Sequence, residues 1–206
     1  MDSIFIIGTG RSGTHFTCRA LQGFKNIYDP LNGKENGSIL KDIAVSSVHH
    51  FEYPKSAIDY YIKVKKHIER KKIFLDQHHP NIFYINDLSK IFTNPIFIYP
   101  DRPVEQVVAS MLKHPGVLSC FEYAKNKPKN YIPIENQFLG IQELVQLQEM
   151  ELYELCALRV IAHRNRAILM KNRGTNVRFL NYENLVSDQL AEFKDVFSEQ
   201  EFDRLG

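Results

Sequence analysis

The chain has 206 residues, 44% hydrophobic and 24% charged, which suits one sizeable α/β core. A net charge of +2 gives no electrostatic footprint for general nucleic-acid binding. Cys18, Cys120 and Cys156 are widely spaced without a CxxC pair, which points to a reducing compartment rather than a disulfide framework.

In chain order, Ser3-Ile4-Phe5-Ile6-Ile7 is an apolar run of strand length. It breaks at Gly8-Thr9-Gly10-Arg11-Ser12-Gly13-Thr14-His15, and a helical spacing follows through Phe16, Ala20 and Leu21. This strand begins almost at Met1, so a signal peptide is not expected. No apolar run reaches membrane-spanning length, and the chain reads as cytoplasmic. Asp29 to Gly37 reads as loop, and Ala57 to Arg70 as helix. The basic clusters Lys63–His67 and Arg70–Lys72 read as a solvated face. Lys72 to Asp76 is a buried strand, Pro80 to Phe92 helical, and Pro95 to Tyr99 a second clear strand. Helices are expected from Val104 to Lys113 and from Gly140 to Asn172, the latter as two helices or one bent one. Asn176 to Leu180 is the last strand, and Leu190 to Phe202 a terminal helix. Alternating strands and helices imply one three-layer α/β domain over residues 1–206, with a largely parallel sheet flanked by helices.

A strand, a glycine loop and a helix N-terminus make an anion site, because backbone N–H groups converge there and the helix dipole adds positive potential. Arg11, Ser12 and Thr14 add donors to the same loop. Two familiar loops fit in part. A Walker A loop needs Lys then Ser or Thr after its last glycine, and this chain has Thr14 then His15. The dinucleotide pattern G-x-G-x-x-G matches Gly8, Gly10 and Gly13, with Asp29 at a suitable distance. That acid should end a second strand, however, and Gly23 to Tyr28 is short and polar. The ligand carries phosphate or sulfate, and the loop alone leaves open which.

Two further segments leave strands toward the same rim. One is Asp101-Arg102-Pro103, with Ser110 about two turns into the following helix. The other is Arg178-Phe179-Leu180-Asn181-Tyr182-Glu183-Asn184-Leu185. With these the chain resembles the sulfotransferases that use 3′-phosphoadenosine 5′-phosphosulfate (PAPS). That family has an R-S-G-T loop for the 5′-phosphosulfate, an Arg followed eight positions later by a Ser for the 3′-phosphate, and a late strand ending in Y-E-x-L. Here the counterparts are Arg11-Ser12-Gly13-Thr14, Arg102 with Ser110, and Tyr182-Glu183-Asn184-Leu185. The resemblance implies a P-loop-like fold without the Walker Lys or Mg²⁺. It places Gly10, Arg11, Ser12, Gly13, Thr14, His15, Arg102, Ser110 and Tyr182 around PAPS or its product, adenosine 3′,5′-bisphosphate. Tyr182 reads equally as an adenine contact or a buried edge aromatic.

Sulfuryl transfer is driven mainly by positioning and electrostatics, with Arg11 suited to the leaving phosphate. A base must take the acceptor's hydroxyl proton. Glu35 is the first choice, by likeness to sulfotransferases with a Glu after the first helix; His49, His50 and Glu52 are the alternatives. Related sequences often carry Lys where this chain has Gln77, a departure that Lys34 could offset. A metal site from Asp76, His78, His79 and His49 has no supporting ligand spacing, so no metal is expected. The acceptor, a carbohydrate, lipid or small metabolite, should bind beside Glu35 and the Asp76–Asn81 segment, with Phe121–Phe138 and Gly140–Asn172 shaping its pocket. The sequence leaves its identity and the oligomeric state open. A small-molecule kinase with a degenerate loop and a catalytically inactive nucleotide-binding protein are the alternatives to the enzyme.

Overall fold

The computed structural model describes residues 1–49, 51–68, 72–125, 140 and 149–206. The expectations placed on His50, on Arg70 and Lys71, and on most of the stretch from 126 to 148 lie outside these.

Strand β1 (Ser3–Ile6) runs into the glycine loop and helix α1 (Thr14–Gln22). Strand β2 (Ile27–Tyr28), helices α2 (Gly37–Val48) and α3 (Lys55–His67), and strand β3 (Ile73–Asp76) follow. A 3₁₀ turn at His79–Phe83 leads to α4 (Ile85–Ile91), β4 (Pro95–Asp101), α5 (Val104–Met111) and α6 (Pro115–Lys125). The later elements are α7 (Leu152–Asn172), β5 (Val177–Asn181), α8 (Tyr182–Ser187), α9 (Gln189–Val196) and α10 (Glu199–Leu205). All pairings in the five-stranded sheet are parallel, in the order β2-β3-β1-β4-β5.

The sheet is buried on both faces, so its strands read as unbroken apolar runs. The pleat still sorts them. Ile4, Ile6, Leu75, Ile96, Ile98 and Leu180 face one way, onto Cys18 and Leu21 of α1 and Phe193 of α9. Phe5, Ile7, Phe74, Phe97 and Tyr99 face the other, onto Ile43, Tyr61, Leu88 and Met170 of α2, α3, α4 and α7. This is the expected three-layer α/β architecture. A third cluster, including Val107, Met111, Phe121, Leu155 and Val160, binds α5, α6 and α7 together. Among the described residues no helix is long and apolar enough to cross a membrane.

Three elements differ from the sequence reading. Ile27–Tyr28 does form a strand, of two half-buried residues at the sheet edge, held by pairing to Ile73 and Phe74. Helix α2 fills a stretch that the sequence reading left unassigned after the Asp29–Gly37 loop: Asn36 caps it by accepting from Ser38 N (3.2 Å) and Ile39 N (3.4 Å), and Ile39 and Ile43 bury its inner stripe. The terminal helix is two, because Ser198 starts a new one with a capping box to Glu201.

Candidate active site

Strand β1 lies between β3 and β4, so connections leave the sheet's centre in both directions. A crevice opens where its carboxyl end meets the rim. The glycine loop fills that position. Gly8 and Gly13 have φ of 148° and 107°, which only glycine adopts readily, and Arg11 sits at φ 76°. A non-glycine residue held there is strained, and such strain collects at functional sites. A Cβ on Gly13 would lie 2.3 Å from the Tyr182 ring. Ser12 is buried and turns its hydroxyl to Thr9 O (2.8 Å), so it builds the loop rather than facing the crevice. Among the described residues no side chain caps α1, and Gly10, Arg11, Gly13, Thr14 and His15 all line a cleft of about 610 Å³.

The β4–β5 wall supplies the second cation. Arg102 leaves β4 and donates Nε to Gln106 Oε1 (3.1 Å) and Nη1 to Arg11 O (3.3 Å). Its guanidinium lies 4.7 Å from the centre of the Tyr182 ring, which meets Phe16 edge-on at 5.9 Å. Arg11 in turn donates Nε to Ser110 Oγ at 3.1 Å, tying the loop to α5. The two arginines and Ser110 are thus brought together on one cleft, with Tyr182 serving as a platform beneath Arg102.

The β3 wall holds Glu35, and sequence explains how. Gln77, buried at the end of β3, donates to Gly33 O (2.7 Å), while Asn36 N donates to His78 Nε2 (3.0 Å). Glu35 is therefore pinned on both sides. Behind His78 lies a buried network: Asp76 accepts from His78 Nδ1 (2.6 Å), Tyr61 (3.1 Å) and Asn81 (3.2 Å). Asp29 accepts from Leu31 N (2.9 Å), Gly33 N and Gln22 (both 2.7 Å), so it shapes this loop rather than marking a ribose site. Glu35 itself accepts from His79 Nδ1 (3.1 Å) and faces His15 Nε2 at 3.6 Å. Burial opposes its charge, but the bonds from His15 and His79 prevail and hold the carboxyl well below the usual range. The Glu35 carboxylate in turn raises His15. Burial lowers His79 despite Glu35, keeping its imidazole neutral.

No protein-family model matches the sequence, and no curated protein matches it either. A solved structure does: a sulfotransferase from Alicyclobacillus acidocaldarius, with a TM-score of 0.53 and 14% identity, covering 93% of this chain and 77% of that one. The fold is sulfotransferase-like.

On that fold the other sequence candidates fall outside the cleft. Gln77 points into the Gly33 carbonyl, and Lys34 is exposed and does not line the cleft. His49 stacks on Phe51 at 5.3 Å and Glu52 is exposed, so neither lines the cleft. His78 and Asp76 are spent on each other, and among the described residues no three His, Cys, Asp or Glu side chains group around a metal position. Three contributors escaped the sequence reading. His79 was read as part of the rim segment Asp76–Asn81 and as a metal ligand, but not as a partner of Glu35. Leu40, Lys41 and Ala44 come from the overlooked α2, and Arg159 is a buried cation on α7. The Asn36 cap and the Ile39–Ile43 spacing could have revealed α2. Nothing local to Arg159 marks it.

Proposed function

We propose that the protein is a sulfotransferase that moves a sulfuryl group from PAPS to a hydroxyl-bearing acceptor, leaving adenosine 3′,5′-bisphosphate. One observation carries the reading: Arg11 and Arg102, from different strand ends, converge on a single glycine-lined cleft, 3.3 Å apart through Arg102 Nη1 and Arg11 O. Two guanidinium groups and an uncapped helix N-terminus suit a ligand with two separated anionic groups. Gly13, where a side chain would strike Tyr182, lets that ring pack against the loop beneath Arg102.

When bound, the donor supplies an activated sulfuryl group next to a leaving phosphate. Gly10, Gly13, Thr14 and His15 would hold the phosphosulfate end, with Ser12 shaping the loop, and Arg102 with Ser110 the 3′-phosphate. Arg11 neutralises charge on the leaving side. Glu35, ionised at neutral pH and aligned by His79, takes the acceptor's proton. Leu40, Ala44 and Val117 give the acceptor side apolar walls, which suit a small metabolite, sugar or lipid with an apolar face. Buried thiols at Cys18 and Cys156 agree with a reducing, cytoplasmic setting.

Calorimetric titration tests the reading. Adenosine 3′,5′-bisphosphate should bind roughly ten- to a hundredfold more tightly than 5′-AMP or ATP, the loss of a charge-assisted contact being about 1.5–3 kcal/mol. Equal affinity for AMP, or an absolute need for Mg²⁺, overturns it. A screen of sugars, phenols, sterols and glycolipids with labelled PAPS then identifies the acceptor.

A further inference from the structure

Arg102 is held by more than its own backbone. Its Nε donates to Gln106 Oε1 at 3.1 Å, and Gln106 Nε2 donates to Glu183 Oε1 at 2.8 Å. Gln106 lies in the first turn of α5 and Glu183 in the first turn of α8, so the chain of bonds joins the ends of β4 and β5. The chemistry permits one order only. A guanidinium can only donate and a carboxylate can only accept, so the residue between them must present an oxygen to one and an N–H to the other. Glutamine does both, and leucine does neither.

The arrangement also keeps Arg102 available. A carboxylate directly on the guanidinium would align it but compete with an anionic ligand for the same donors. A neutral amide between them transmits the orientation and sets the negative charge one side chain back. The Tyr182 face at 4.7 Å and Arg11 O at 3.3 Å fix the remaining directions. Among the described residues no acceptor meets Nη2, and Arg102 lines the cleft.

We infer that Gln106 and Glu183 are positioning residues for Arg102, a relay that sets the preference for a nucleotide bearing a second phosphate. The inference rests on the PAPS reading and adds two residues to it. Neither touches the ligand. Both act on the orientation of the cation that does.

The test is isothermal titration of the full chain with adenosine 3′,5′-bisphosphate and with 5′-AMP. Gln106→Leu should weaken the bisphosphate roughly tenfold while AMP changes less than twofold. Glu183→Leu should have a smaller effect of the same kind. Glu183→Gln, which keeps an acceptor for the Gln106 amide, should stay within twofold of wild type for both ligands. A merely structural role would lower the affinity for both nucleotides together, or the melting temperature alone. A wild type that prefers the bisphosphate, with Gln106→Leu and Glu183→Leu keeping that ratio, overturns the relay and leaves the PAPS reading standing. A wild type that does not distinguish the two nucleotides overturns that reading, and the relay with it.

Discussion

On the cation side of the cleft, Arg11 of the loop after β1 and Arg102 at the end of β4 bond, among the described residues, only to neutral acceptors: a serine hydroxyl, a glutamine carbonyl and a backbone carbonyl. On the β3 wall, Glu35 is three-quarters buried or more and lies against two imidazoles. The first arrangement orients charge without neutralising it, which leaves the cations to an anionic ligand. The second stabilises one protonation state and keeps a carboxylate ionised in a shielded place. On the proposed reading, binding and proton transfer fall on opposite walls, and substitutions on each should separate them.

The largest effect belongs to the β3 wall. Glu35→Gln keeps the size of the side chain and removes its basicity, so turnover should fall by about 10²–10⁴. Affinity for adenosine 3′,5′-bisphosphate should stay within about twofold, since the proposed reading puts Glu35 on the acceptor side. Turnover with an identified acceptor, measured beside calorimetry, checks both halves. A fully active variant would remove the base from Glu35.

Arg11→Ala should do the reverse at the binding step. Losing a charge-assisted phosphate contact lowers bisphosphate affinity roughly ten- to a hundredfold. The fold should survive, because Arg11 is exposed and strained at φ 76°. Arg11→Lys should recover only part of the loss, since an ammonium lacks the bidentate fork. Near-normal affinity in Arg11→Ala would show that this loop does not hold the ligand.

These walls were unequally legible in the sequence. Strands β1, β3, β4 and β5 stood out as apolar runs because both sheet faces are covered. The cation side followed, since Arg102 directly follows β4, Arg11 lies in the loop that follows β1, and a parallel sheet sends those ends to one rim. The acid wall was harder. Glu35 was placed by resemblance, but its partners His15 and His79 are 20 and 44 residues away, and pairing over such distances leaves no local pattern. Gln77 looked like a missing cation until its amide was found on the Gly33 carbonyl. Two-residue β2 could not be read because its neighbour in the sheet, not its own composition, makes it a strand.

Glycine substitutions sharpen the contrast through the backbone. Gly13→Ala places a Cβ 2.3 Å from the Tyr182 ring, at a φ of 107°. It should cost about 1–3 kcal/mol, lowering Tm by roughly 2–12 °C for a chain of this size, and weaken the bisphosphate by displacing Tyr182 beneath Arg102. Gly37→Ala, at the start of α2 on the opposite wall, meets nothing within 4 Å. It should raise Tm slightly, because alanine orders a helix more readily than glycine. Thermal melts of the two variants decide the matter, and equal changes in Tm would mean that Tyr182 does not press on the loop.

The smallest effect is a pH dependence of stability confined to the β3 wall. Glu35 has a folded pKa below its unfolded value of about 4.3. Its contribution is therefore full above that value and is lost as pH falls through the folded pKa. His15, facing Glu35 from α1, has a folded pKa above its unfolded value of about 6.5. Its contribution is full below that value and is lost as pH rises through the raised folded pKa. His79, facing Glu35 from the 3₁₀ turn with Arg159 near it, is lowered by burial and so penalises the fold only on acidification. The stability difference between wild type and Glu35→Gln should then be greatest between about pH 4.5 and 6.5. It should shrink on the acid side as Glu35 takes a proton, and on the alkaline side as His15 loses one. His15→Asn should abolish the alkaline decline and leave the acid one. Urea denaturation of the three proteins from pH 3.5 to 8.5 measures this directly, and a difference that stays constant across the range would show that Glu35 does not share its charge with His15.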